Sequence, residues 1–230
     1  MSSVVSIKHD DPKLELYVLT ALRVVNDIVR DTPHSKYEIT VYLDNNIADD
    51  VLGLASIYTN EIWLNEKKMA DLVTLNDVDY NMLSVVLIHE IFHIIGIVGT
   101  SVFGVRLIQD DKGTPPNVYI GRHGIEKYKS VLHVNGLDNE KIVYLPIENN
   151  FGAGTQRSHL EEGFDDNNNL EKRYINDVYY PVPVNELMTG FINRYNYITP
   201  ITLGILEDYG FTVNYDSIYV ASEGKKLKFI

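Results

Sequence analysis

The chain has 230 residues, enough for one or two domains with a sizeable core. Its 20 basic and 32 acidic residues leave a net charge of −12, which argues against nucleic acid or an anionic membrane as partner, because both attract Lys/Arg clusters. With no cysteine, the chain cannot form a disulfide scaffold, a cysteine-ligated zinc site or a thiol nucleophile. Charges at Lys8, Asp10 and Asp11 interrupt the N-terminus before any apolar signal region, and no apolar run approaches a membrane span. Classical secretion is therefore not expected, which leaves the cytoplasm, a packaged particle or export by another route.

Asp11-Pro12 opens a predicted amphipathic helix over 14–29 that stops near Asp31-Thr32-Pro33. Leu16, Leu19, Leu22, Val25, Ile28 and Val29 recur at three and four, so this face is expected to pack on a sheet. Residues 37–43 alternate apolar and polar and predict a half-buried strand. Residues 54–58 and 61–64 predict two short strands around a turn at Thr59-Asn60, with 61–64 as the edge to which an extended peptide can add. The stretch 77–96 is apolar nearly all round in its second half, as a buried central helix is. After Gly96 the chain becomes rich in Gly, Pro and Asn, with a short helix expected over 125–132 and a turn at Asn135-Gly136. Residues 163–170 read as a solvated irregular loop. Thr199 as N-cap, Pro200 at the first position and Gly210 at the end mark a last helix.

The central helix carries His89-Glu90-Ile91-Phe92-His93. Residues four apart on a helix share a face, so both imidazoles can reach one metal ion, while Glu90 stands beside the site and can act on a water without ligating. Such a pattern arises by chance in about one chain of this composition in a hundred, so its context must decide. Three ionisable groups on a buried apolar helix are costly without partners, and a metal supplies one for the histidines. A catalytic zinc needs a third protein ligand. Position 99, where a closely spaced third histidine falls, is Gly99, while Gly96 offers a place for the helix to stop and turn. The downstream histidines are His123 at a helix start, His133 just after a helix, and His159 in an irregular loop, of which the loop residue is favoured.

The segments HEIFHIIG (89–96), GAGTQRSH ending at His159, NELMTG (185–190) and ITPITLGILEDYGFTVNY resemble, in that order, the leishmanolysin family of metzincin metallopeptidases. VLGLASIYTNEIWLN resembles the strand region ahead of that family's active-site helix, so the likeness covers residues 51–215. The resemblance implies one catalytic Zn2+ held by His89, His93 and His159, with Glu90 as general base and acid and Met188 in a methionine turn under the metal. Unlike the family's secreted members the chain lacks cysteine, and Leu160 stands where the family often has tryptophan. The implied fold is α+β and metzincin-like: a small twisted mixed sheet with helices in residues 1–96, and a mostly irregular C-terminal half over 97–230. The two halves form one catalytic domain with a cleft between them.

Glu161 and Glu162 can accept from a ligand N–H, and Tyr179, Tyr180, Tyr195 and Tyr197 can pack, line a pocket or donate to an oxyanion. The expected function is zinc-dependent endopeptidase, with a peptide or protein as substrate and an inhibitor or packaging partner possible. Two alternatives stand beside it. One is a gluzincin-type hydrolase with Glu140, Glu148, Glu161 or Glu162 as third ligand; the other is a zinc-stabilised binding protein without turnover.

Overall fold

The computed structural model describes residues 3–32, 36–74, 81–97, 107–109, 117–152, 154–165, 167–192, 196–221 and 227–230. The chain divides into two units, Met1–Gly96 with Phe211–Asn214 and Ile97–Gly210 with Tyr215–Ile230. The first contains β1 (Val5–His9), α1 (Glu15–Ile28), β2 (Val29–Asp31), β3 (Tyr37–Asp44), β4 (Gly53–Ser56), β5 (Glu61–Asn65), α2 (Met69–Thr74) and α3 (Met82–Ile94). The second contains β6 (Ile108–Gln109), β7 (Val118–Tyr119), α4 (Arg122–Val134), β8 (Leu145–Pro146), β9 (Arg173–Ile175), β10 (Val178–Tyr180) and α5 (Pro200–Asp208). A last strand, β11 (Thr212–Val213), belongs to the first unit and pairs with β2. The chain is thus mixed α and β, and among the described residues no helix is long and apolar enough to cross a membrane.

Alternation builds the main sheet. In β3, Tyr37, Ile39 and Val41 are buried while Glu38 and Tyr42 face solvent. The sheet order is β1-β3-β5-β4, with β1, β3 and β5 parallel and β4 antiparallel to β5. Two features depart from the sequence reading. The N-terminal stretch, read only for its charges, supplies β1, whose Val5 is buried beside β3. The segment 61–64 is interior rather than edge, because β3 takes its far side; the edge is β4, joined to β5 through a turn in which Asn60 adopts φ 54°.

Helix α1 turns inward the C-terminal part of the expected face, with Val25, Ile28 and Val29 buried, but not its N-terminal part. Leu16 and Leu19 are 66% and 53% exposed, whereas Val18, Ala21, Val24, Val25 and Ile28 are buried. Leu14, Val18, Ala21, Val25 and Ile28 follow an unbroken three-four spacing, while the stripe through Leu16 runs one heptad on into the exposed Arg23. The helix also ends one residue early, and Val29 opens β2. The short α2 escaped the sequence reading. Pro33 lies outside the described residues.

In the second unit, α4 is longer than the expected 125–132. Its first turn is capped from a distance: the Asp208 carboxylate accepts from the His123 and Gly124 N–H groups at 2.8 and 2.9 Å. No local sequence signal announces such a cap. Gly204 on α5 lets the helices approach, since a Cβ there would stand 2.6 Å from the His123 carbonyl oxygen. Helix α5 itself starts as its residues dictate, with the Thr199 hydroxyl accepting from Ile201 N–H at 3.2 Å, and Gly210 closes it at φ 89°. The 163–170 loop is more organised than expected. Asp165 accepts from the Asn167 and Asn169 N–H groups at 2.9 and 2.8 Å, and Phe164 bridges to Leu170.

Candidate metal centre

Asn81 caps α3, its side-chain oxygen accepting from Ser84 N–H at 2.9 Å. From Met82 onward the helix is buried on every side except at the partly exposed His93. This burial follows from its composition, apolar at every position but Ser84, His89, Glu90 and His93. The helix stops at Gly96, whose φ of 113° requires glycine and whose N–H donates to the Phe92 and His93 carbonyls.

One turn apart, His89 and His93 bring their Nε2 atoms to 2.9 Å, with ring planes 83° apart. Two imidazole lone pairs facing each other at that distance repel unless a proton or a cation sits between them. The ligand atoms of His89, His93 and His159 all lie within 4.8 Å of one another, and the three residues can hold a metal ion. Metal–nitrogen bonds of about 2.0–2.1 Å at tetrahedral angles place nitrogens about 3.3 Å apart, a separation that falls inside this span.

His159 stands in a loop tied at several points. Its carbonyl accepts from Glu148 N–H at 3.0 Å, Arg157 N–H donates to the Glu148 carbonyl at 2.9 Å, and Leu160 N–H donates to the Met188 carbonyl at 2.8 Å. His159 Nδ1 lies 3.0 Å from the Thr155 carbonyl oxygen. A carbonyl only accepts, so Nδ1 carries the proton and Nε2 keeps its lone pair for a metal. The Thr155 carbonyl therefore takes the part expected of Glu161 or Glu162, a backbone partner that residue types cannot announce.

Met188 is fully buried in the NELMTG turn. Behind it Glu186, also fully buried, accepts from Met188 N–H and from the hydroxyls of Thr199 (3.1 Å) and Thr202. Burial pushes the Glu186 carboxyl up to about 7. Glu186 thus fastens the NELMTG turn to the start of α5, a role the sequence reading missed.

The remaining candidates lie elsewhere. His123 stands 3.8 Å from Glu207 and His133 pairs with Asp138 at 2.9 Å. Glu140 is exposed. Glu148 accepts from Asn150 N–H at 2.6 Å, Glu161 lies 3.6 Å from Arg173, and Glu162 accepts from Gly190 N–H at 2.7 Å. Burial raises all three carboxyls above the ordinary range, and the Glu148 charge adds to the shift of the other two. Among the described residues, no carboxylate joins the histidine triad. The Tyr180 hydroxyl accepts from Val143 N–H at 3.2 Å, Tyr179 packs on Tyr174, and Tyr197 pairs through its backbone with Asn185 and Leu187. Tyr195 lies outside the described residues.

Glu90, next to the first histidine, is 6% exposed, and burial pushes its carboxyl up to about 8. The arrangement sets a buried carboxyl group beside three histidines that could hold a metal ion. The chain matches no family model, and a search against characterised proteins finds no match.

Proposed function

We propose that the chain is a zinc-dependent endopeptidase with a metzincin-type catalytic domain similar to the leishmanolysin family. The observation that carries this reading is the convergence of His89, His93 and His159 within 4.8 Å, with Glu90 adjacent to the first of them and outside the set. Three imidazoles with no fourth protein ligand among the described residues fit a catalytic zinc, which keeps an open position, better than a closed structural one. Zinc held there supplies Lewis-acid polarisation of a water and of the peptide carbonyl.

The protein's own groups supply the rest. Glu90 takes a proton from the attacking water and returns it to the leaving amine. Its burial favours the protonated state, and a cation on the neighbouring imidazoles favours the ionised one, so the group can serve both steps. Thr155 holds His159 in the metal-binding tautomer, and the methionine turn supports the His159 loop through Leu160. The side of β4 away from β5 is a sheet edge among the described residues, where an extended peptide substrate can add by main-chain pairing. The engagement of Glu148, Glu161 and Glu162 away from the triad counts against a glutamate third ligand.

The test is Glu90→Gln, assayed by peptide-library cleavage with metal content measured in parallel. Turnover should fall roughly 100- to 10,000-fold while zinc stays bound. Wild-type cleavage by a clean Glu90→Gln preparation would remove the mechanism, and cleavage that survives complete zinc removal would remove the class.

A further inference from the structure

Gly53 occupies an unusual place for a glycine. It lies in β4, paired opposite Leu64, and its φ is not in the left-handed region, so its backbone conformation is open to any residue. Glycine inside a strand weakens it and contributes no packing. Space accounts for it instead. A Cβ at this position would stand 2.9 Å from Glu90 Oε1, 3.1 Å from Val86 Cγ1 and 3.2 Å from Glu90 Cγ. The first of these is the far end of a flexible side chain, and it is the atom that moves most cheaply. A methyl group here therefore displaces the Glu90 carboxylate before it disturbs the strand or the helix.

We infer that Gly53 is a positioning residue for Glu90: its missing side chain forms the notch in which β4 holds that carboxylate beside His89. The notch faces α3, and the same strand carries Leu54 on the opposite side at 48% exposure. The catalytic meaning of this contact rests on the peptidase reading, but the contact itself can be tested without it.

The experiment combines a stability cycle with kinetics on the zinc-loaded protein. Gly53→Ala should lower Tm by about 2–12 °C in the wild-type background, the cost of inserting a methyl group into a packed site in a chain of this size. In a Glu90→Ala background the same change should cost clearly less, because only the Val86 Cγ1 contact at 3.1 Å remains. Zinc content should stay at the wild-type level in Gly53→Ala. With a peptide substrate, kcat should fall roughly 10- to 100-fold at nearly constant KM, the scale expected for a base misplaced by about an ångström. Glu90→Asp, whose shorter arm clears the methyl, should suffer less from Gly53→Ala than the wild type does. An equal Tm loss in both backgrounds, or wild-type kcat in Gly53→Ala, would overturn the inference. If the wild-type protein cleaves no peptide, the peptidase reading fails separately, and the stability cycle alone decides whether Gly53 shapes the place of Glu90.

Discussion

Removing the His159 imidazole tests the contact that holds the proposed centre together over the longest stretch of sequence. His159→Ala deletes one of three converging ligands and leaves Thr155 without its imidazole donor. A four-ligand structural zinc site binds with about 10–16 kcal/mol, or roughly 3 kcal/mol per ligand, so the affinity should weaken by about 100-fold or more. At free zinc near 100 times the wild-type Kd, ligand linkage stabilises the native chain by about 2.7 kcal/mol, and a 100-fold weaker Kd leaves about 0.4 kcal/mol. At about 2–4 °C per kcal/mol for a chain of this length, the zinc-dependent part of Tm should shrink by roughly 5–9 °C. The assay is a pair of melting curves, with zinc and with chelator, alongside metal titration. The chelated pair isolates the lost Thr155 hydrogen bond, which is worth about 1 kcal/mol. His123→Ala and His133→Ala should keep the full zinc-dependent shift, since their partners are Glu207 and Asp138. An undiminished shift in His159→Ala, or its loss in either control, would refute the assignment.

Three further outcomes follow from the same structure. Glu186 holds its proton up to about pH 7 when folded and to about 4.5 when unfolded, so the native state binds the extra proton between those values. Its contribution to stability is therefore lost as pH rises through that window, at up to about 1.4 kcal/mol per pH unit, and metal-free Glu186→Gln should gain on the wild type between pH 5 and pH 8 in thermal melts. A parallel pH dependence for both proteins would assign the shift elsewhere. On α1, Leu16→Lys should change urea stability by less than about 0.5 kcal/mol, whereas Ile28→Ala, at a position common to the expected and observed faces, should cost about 2–5 kcal/mol; a Leu16→Lys cost as large as that of Ile28→Ala would restore Leu16 to the inward face read from the sequence. A synthetic peptide hydroxamate, which chelates zinc, should inhibit cleavage competitively while serine-directed reagents do not. Insensitivity to hydroxamate would point to a binding protein.

Elements whose signals are local were legible. Strand β3 announces itself by alternation, α5 by Thr199, Pro200 and Gly210, and α3 by a run too apolar to lie anywhere but inside. Where two readings compete locally, the deciding fact is tertiary. On α1 the expected and observed stripes share Val25 and Ile28, and only packing against β1 and α3 selects Val18 and Ala21 over Leu16 and Leu19. Strand β1 is five residues long and gains its identity from pairing with β3, far along the chain. The start of α4 depends on Asp208, whose carboxylate arrives from α5.

The same division runs through the candidate site. The convergence of His89 and His93 was readable because helix geometry converts a spacing of four into a shared face. His159 was reached by weighing loops and by resemblance, since nothing within a few residues of it specifies a partner on α3. The groups that prepare these side chains left still less trace. Thr155 acts through its carbonyl, which every residue type possesses. Gly53 acts through the absence of a side chain, in a strand where a glycine reads merely as a weak point. Glu186 sits in a motif read for its methionine, yet its carboxylate gathers a backbone N–H and two hydroxyls from beyond the turn. Residues that bind a metal must be of particular types, so sequence exposes them. Residues that orient the ligands need only present a carbonyl, a gap or an acceptor at the right place, and only three-dimensional structure identifies those.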